Sequence, residues 1–329
     1  MAASEPPALS VVVAIVSDTT GRLDVAHLGP CLAALKGQID GPPLEIVVPY
    51  HPSLEGIAGM REQHPDVRFH EIADLRTFTG KPGSREHHDE LRARGLGLAS
   101  GAIVALIEDH GIAAPDWSAR IAQAHAGAIS AAGGAIENEV DRPLNWAVYF
   151  CDFLRYQNPL PEGESLIVSD ANVAYKREAL ESVGSVWRAI FHESAVNNAL
   201  RAKGGTLVLA PRAVVSQHRL GLRLGSALKE RYVWGRSYAA TRAGLAGTSR
   251  RLFWAVFAPV LPALILSRMA LMAFQKGRTI KPFIKAFPLT TALVVTWSFG
   301  ELVGYVTGRA NTQGAQAAEA IASGSQGFS

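Results

Sequence analysis

Cysteine is nearly absent. Cys31 and Cys151 are the only two in 329 residues. Two thiols do not make a disulfide framework, and these lack the paired spacing of a zinc finger. Both are flanked by apolar residues, which predicts buried, reduced thiols and a reducing compartment. Charge is also scarce: charged residues are 19% of the chain and the net charge is +3. The first half has no concentrated basic tract with interleaved aromatics, which argues against nucleic acid as a partner. No basic region precedes the first apolar run, so no secretory signal is expected. No internal repeat is visible, which excludes a solenoid.

What is present is an alternation of short apolar runs with amphipathic segments. Residues 1–8 read as a disordered leader. Leu9–Val16, Leu44–Val48, Val67–Ile72 and Ala102–Ile107 read as strands, because each is short, rich in β-branched residues and bounded by Gly, Pro or acid. His27–Leu35, His87–Leu98 and Trp117–His125 read as the intervening helices. The alternation predicts an α/β fold with a mostly parallel sheet. Further on, Gly133–Asn138 and Thr206–Ala210 are strand candidates, Ala213–Val215 is strand-like, and Ser169–Tyr175 leads into a helix. Lys176–Val183, His192–Lys203 and Ser226–Thr241 read as helices. Leu144–Tyr156 is aromatic-rich and is expected to run along a cleft. Ala310–Ser329 is small and polar and reads as a disordered tail.

Glu108-Asp109-His110 follows the fourth strand directly. Open α/β sheets place ligands beyond the carboxyl ends of their strands. Two acids and an imidazole there suit a divalent cation held against a phosphate, and that donor set fits Mn²⁺ or Mg²⁺ better than structural zinc. The plainer use of the triplet is a polar strand end that opens a loop.

Several segments together resemble the family 2 glycosyltransferases, which have the GT-A fold. Ser10-Val11-Val12-Val13-Ala14-Ile15-Val16 is similar to that family's opening strand, Cys31-Leu32-Ala33-Ala34-Leu35 to its first helix, and Glu45-Ile46-Val47-Val48 to its second strand. Arg92 to Gly101 resembles the helix before the metal motif. Glu108-Asp109-His110 falls on the Asp-x-Asp position, followed by Pro115-Asp116-Trp117 in place of Pro-x-Trp. Ser169-Asp170-Ala171-Asn172 through Leu180 resembles the acceptor-side segment, and His192-Glu193 takes the place of a Glu-Asp pair. The likeness covers roughly residues 9–245. It implies a Rossmann-like GT-A catalytic domain, a nucleotide-sugar donor, and a lipid or lipid-linked saccharide acceptor.

The resemblance also implies roles for particular residues. Glu108, His110 and His218 are expected at the metal. Asp18, Arg92, Asp109 and Arg219 are expected at the nucleotide and its diphosphate. Asp170, Asn172, His192 and Trp146 are expected on the acceptor side. Glu193 is expected to be the base that takes the acceptor proton, and a separate base with in-line attack inverts the anomeric centre. Such a base needs a pKa near neutrality, which a helix N-terminus opposes and desolvation favours. Plainer uses exist: a solvated helix-start acid for Glu193, helix capping for Asp170 and Asn172, a turn former for Asp18, and core packing for most of Trp146, Tyr149 and Phe150.

The chain departs from the family in three places. The second strand ends Pro49-Tyr50-His51-Pro52-Ser53 with no acid. The metal motif is Glu-Asp-His, and the base is glutamate. Gln217-His218-Arg219 is not the Gln-x-x-Arg-Trp of processive synthases, which favours single transfer. Two other readings stay open: a catalytically inactive GT-A-like membrane binding or scaffold protein, and a nucleotidyltransferase, for which Asp18–Gly21 makes a poor phosphate loop.

Leu252–Phe274 and Ala286–Thr307 are long and apolar enough for membrane helices. A spanning hairpin would put Lys276, Arg278, Lys281 and Lys285 outside, against the positive-inside rule. For residues 246–309 the favoured arrangement is an interfacial or re-entrant Leu252–Phe274 with one span at Ala286–Thr307; a hairpin that spans despite its charges stays open, and the plainer use is two buried helices of a soluble domain. The favoured arrangement carries a cytoplasmic catalytic domain at a bacterial inner membrane.

Overall fold

The structure is a computed structural model that describes residues 7–16, 25–77, 85–244 and 248–309. The strands are β1 (Leu9–Ala14), β2 (Leu44–Tyr50), β3 (Arg68–Glu71), β4 (Ile103–Glu108), β5 (Gly111–Ala113), β6 (Ala131–Asn138), β7 (Gly163–Glu164), β8 (Asn172–Lys176) and β9 (Leu207–Gln217). The helices are α1 (Leu28–Lys36), α2 (Ile57–Gln63), α3 (Arg85–Leu98), α4 (Trp117–Ala124), α5 (Pro143–Asp152), α6 (Arg177–Ser182), α7 (Gly184–Trp187), α8 (Glu193–Ala202), α9 (Leu224–Gly244), α10 (Thr248–Phe257), α11 (Leu261–Lys276) and α12 (Ile280–Thr307).

The chain divides into two compact units. Of the described residues, one holds those up to Glu137 together with Tyr156–His218, and the other holds Asn138–Arg155 and those from Arg219 to Arg309. The division does not fall at residue 245: α5 and α9 belong with the C-terminal helices.

The first unit is α/β. Its sheet runs β3-β2-β1-β4-β8-β6-β9-β5, with β7 beside β9. The β3-β2-β1-β4 half is parallel, and β8 continues it antiparallel to β4. Alternation along the strands sorts the core into two layers. Val11, Val13, Ala105 and Ile107 face α1 and α4 residues such as Leu32 and Trp117. Val12, Val104 and Leu106 face Leu96 of α3 and Val196 of α8. Each fully buried aliphatic side chain of this kind contributes about 1.5–3 kcal/mol.

Register positions the site. Ala14 pairs with Glu108 in the parallel ladder, and Ile107 pairs with Asn172 in the antiparallel one. The carboxyl end of β4 therefore lies beside the amino end of β8. Residues 108–110 and 169–172 meet at one sheet edge.

Departures from the sequence reading have local causes. Thr206–Ala210 and Ala213–Val215 form the single strand β9. Its Leu209 pairs with β7 and its Val215 with β5, so Pro211, which lacks an N–H, falls between the two pairings. Leu144–Tyr156 is mainly the helix α5, opened by Pro143 at its first turn. α2 is not legible because it is only seven residues long and packs just Ile57 and Met60 partly against the core, too short a stretch to show an apolar period.

In the second unit, α9 and α12 run against each other backbone to backbone. A Cβ on Gly300 would meet the Tyr232 carbonyl at 2.3 Å, and one on Gly304 the Arg236 carbonyl at 2.4 Å. Gly300-x-x-x-Gly304 is thus the small-residue spacing that lets helices approach closely. Arg231 of α9 donates two bonds, of 2.6 and 2.5 Å, to Asp152 of α5.

Candidate active site

The site of the first unit is built on Arg92, in the middle of α3. It is 5% exposed. Its guanidinium donates to Asp89 and to Glu108, each at 3.0 Å, and lies 3.5 Å from Asp170. Burial works against the charge of Arg92. Asp170, Asp89 and Glu108 outweigh it and hold the guanidinium ionised. Three carboxylates from a helix, a strand end and a loop therefore share one cation. Arg92 acts first as the clamp of this edge.

Asp89 has no counterpart in the motifs of the sequence. It accepts from Arg92, lies 3.3 Å from His192 Nδ1 and 3.7 Å from Arg85, and its backbone carbonyl accepts the Phe191 N–H at 3.1 Å. Burial pushes its carboxyl up, but His192, Arg85 and Arg92 more than reverse this, so it sits below the usual range. The only sequence signal was its place three residues before Arg92, one helical turn away. His192, expected on the acceptor side, is tied to this carboxylate.

Glu193 opens α8. The backbone N–H of Asp170 donates to its Oε2 at 3.1 Å. Burial, and then the charge of Asp170, push the Glu193 carboxyl up to about 8. Asp170 is itself pushed up by burial, against the pull of Arg92. The helix N-terminus favours the ionised acid, and here desolvation outweighs it.

The triplet divides its work. Asp109 is 0% exposed. Its N–H donates to the Ala14 carbonyl at 2.9 Å, and its Oδ1 accepts the Val16 N–H at 3.1 Å. It ties the ends of β1 and β4 together, so its side chain faces inward and not toward a ribose. His110 lies between the two acids, its Nε2 3.3 Å from Glu108 and its Nδ1 3.3 Å from Asp109. His218 adjoins it, donating its backbone N–H to the His110 carbonyl at 2.8 Å.

Among the described residues no group of three or more His, Cys, Asp or Glu could hold a metal ion. Glu108, His110 and His218, expected at a metal, do not by themselves form such a group. Glu108 is bridged to Arg92, and His110 is clasped by its two neighbours. The Glu108–His110 pair does fit a different case. An ion that arrives on a diphosphate needs only one or two protein ligands, because phosphate oxygens and waters supply the rest. The buried and half-buried acids at this edge, Asp89, Glu108, Asp109, Asp170 and Glu193, also outnumber the arginines Arg85 and Arg92 beside them.

Asn172 corrects an expectation. It is 0% exposed. Its Oδ1 accepts the Trp117 indole N–H at 2.9 Å, and its Nδ2 donates to the Ala135 and Ala213 carbonyls at 2.8 and 2.9 Å. Both ends of the amide are committed to the fold, so it knots β6, β8, β9 and α4 together and offers nothing to an acceptor. The backbone of Gly134 makes room for it: a Cβ there would lie 2.2 Å from Asn172 Nδ2.

Arg219 and Trp146 belong to the second unit. The Arg219 carbonyl accepts from Asn145 Nδ2 at 2.7 Å. Trp146 donates its indole N–H to Asp141 at 2.7 Å and stacks on Phe150 with centroids 5.4 Å apart. Tyr149 and Phe150 are buried, as core packing required. Asp18 lies outside the described residues. A cavity of about 380 Å³, lined by His70, Asp74, Arg94, Trp187 and Arg188 among others, includes none of the site residues.

No family profile matches the chain, and no curated protein matches it. Solved structures similar to it include three glycosyltransferases. A mannosyltransferase of Pyrobaculum calidifontis, in complex with GDP-Man and Mn²⁺, is 17% identical over 98% of this chain and 81% of its own, with a TM-score of 0.44. TarS of S. aureus, in complex with UDP-GlcNAc, is 13% identical over 68% of this chain and 65% of its own, with a TM-score of 0.40. GalNAc-T7, with UDP, GalNAc and Mn²⁺, is 13% identical over 70% of this chain and 48% of its own, with a TM-score of 0.44.

Proposed function

We propose that the chain is a glycosyltransferase that moves a sugar from a nucleotide-sugar donor to a lipid or saccharide acceptor at a membrane, with inversion. The observation that carries this reading is Glu193, a buried carboxyl held by the Asp170 N–H and raised to about 8. A group titrating near the working pH is what proton abstraction from a hydroxyl needs. As the acceptor oxygen attacks the anomeric carbon, its proton passes to Glu193 and the bond to the diphosphate breaks.

Asp170 and His192 flank this carboxylate and orient the acceptor. Arg92 keeps Glu108 and Asp170 at the same edge, so the donor and acceptor sides hold a fixed spacing. A divalent cation carried in on the donor would be met by Glu108 and His110, with His218 beside them. Its chemistry there is Lewis-acid stabilisation of the leaving diphosphate oxygens. The second reading is an inactive binding protein on the same fold, favoured by the acid-free Pro49–Ser53 segment at the end of the second strand and by Glu108-Asp109-His110 in place of Asp-x-Asp.

Purified full-length protein incubated with a panel of nucleotide sugars, with and without Mn²⁺, tests the proposal by release of nucleoside diphosphate. Release that Glu193→Gln abolishes supports it. No release and no thermal stabilisation by any donor would leave the inactive reading standing.

A further inference from the structure

The helices α10, α11 and α12 each expose large apolar side chains. On α12 the exposed side chains include Ile284, Phe287, Val295, Phe299 and Val306, a stripe along one side. On α10 and α11 they include Leu252, Phe253, Val256, Leu264, Leu271 and Phe274. Both Arg251–Lys276 and Ile280–Thr307 are long and apolar enough, by length and composition, to cross a bilayer. Three observations argue that they do not.

First, the charge-free runs are short. Sixteen residues separate Arg251 from Arg268, and fifteen separate Lys285 from Glu301, whereas a span needs about 20. Second, the far side of α12 is not available to lipid. Its C-terminal half lies on α9, through Gly300 and Gly304 against Tyr232 and Arg236. α9 carries Lys229, Glu230, Arg231, Arg236 and Arg242. If α12 crossed the hydrocarbon, α9 would carry these charges in with it, at a cost of several kcal/mol each by insertion scales. Glu301 is 6% exposed and faces Trp297 within α12, so it cannot snorkel to water. Third, the surface is basic. Between Glu230 and Glu301 there is no acidic residue, and Arg268, Lys276, Arg278, Lys281 and Lys285 lie in that interval.

We infer that α10–α12 lie in the plane of one leaflet, apolar stripes in the acyl region and basic side chains on anionic phospholipid headgroups, with no segment crossing. α12 packs one face on protein, Ala286, Leu293, Gly300 and Gly304 among it, and turns its exposed apolar stripe outward, so a single face is open to the acyl region. The inference rests on the membrane reading of the proposed function and replaces its single span with none.

The test uses the full chain in inverted and right-side-out membrane vesicles. Single cysteines are placed by Glu55→Cys in the first unit, Gln275→Cys after α11 and Thr307→Cys at the end of α12, and labelled with an impermeant maleimide. All three should label from the same side. Gln275→Cys labelling only from the opposite side would establish a spanning hairpin and overturn the inference. Thr307→Cys labelling only from the opposite side would establish a single span and also overturn it. A chain absent from the membrane fraction would overturn the membrane reading itself, a distinct outcome. For the headgroups, phosphatidylcholine vesicles with and without phosphatidylglycerol are the probe. Binding should need the anionic lipid, fall with salt, and weaken about fivefold for each of Lys281→Ala and Lys285→Ala. Equal binding to both vesicle types would overturn the headgroup assignment.

Discussion

The backbone N–H of Asp170 donates to the carboxylate of Glu193 at 3.1 Å, while the Asp170 side chain lies 3.5 Å from Arg92. One residue thus joins the candidate base to the cation that organises the sheet edge. Asp170 raises Glu193 by its charge and orients it by its backbone.

Glu193→Gln keeps the shape and the bond from the Asp170 N–H but removes the base. Turnover should fall about 10²- to 10⁴-fold with little change in KM for the donor. The measurement is steady-state kinetics beside a circular dichroism spectrum that matches the parent. A loss below tenfold would remove Glu193 from the chemistry.

The pH dependence of kcat/KM should show an ascending limb with an apparent pKa near 8, because the base acts when deprotonated. Stability runs the other way. The folded pKa of Glu193 is raised from the ordinary 4.5 to about 8, so the folded state holds a proton that the unfolded chain releases. That contribution is fully present below about 4.5 and is lost as pH rises through about 8. Urea midpoints measured across this window should fall with pH for the parent and less for Glu193→Gln.

Arg92→Met removes the cation that Asp89, Glu108 and Asp170 share and leaves Arg85 beside Asp89 alone. Removing one partner of a buried ion pair costs about 3–5 kcal/mol, so chemical denaturation should show a loss of that size. Arg92→Lys should recover only part of it, since an ammonium lacks the planar fork that reaches several carboxylates at once.

Asn172→Ala orphans the Trp117 indole N–H and the carbonyls of Ala135 and Ala213. Each buried group left unpaired costs about 1–3 kcal/mol. The melting temperature should drop sharply, while KM for the acceptor stays unchanged in whatever protein remains folded. A KM effect in a fully stable variant would restore Asn172 to the acceptor side.

Mn²⁺ titrated calorimetrically into the protein alone should show no saturable site, in keeping with the lack of a three-ligand group among the described residues. Titrated with a nucleoside diphosphate present, it should bind, and Glu108→Gln should weaken that binding about tenfold or more. Tight binding without nucleotide would mean a resident metal.

Much of the fold was legible because strands announce themselves locally. Val11 to Ala14 and Val104 to Ile107 are wholly apolar and rich in β-branched residues, and their burial in the sheet follows from composition alone. The site was legible only in part. Glu108, Asp170 and Glu193 could be found by their positions after or before such runs. Asp89 could not, because nothing in its neighbourhood distinguishes it from a solvated helix acid. Asn172 was visible, but not which way its amide faces.

The sequence by itself determined the α/β alternation, the place of the acids at strand and helix ends, and the long acid-free basic stretch before Glu301. Each of these is a property of neighbours along the chain. Tertiary structure decided what those residues do. It brought residues 89, 92, 108, 170 and 193 to one edge, turned Asp109 and Asn172 inward, and laid α12 along the charged α9. It also settled the contest at Glu193, where the helix start favours the charge and burial opposes it. The outcome depends on how much water the folded chain removes, and no local stretch of sequence encodes that.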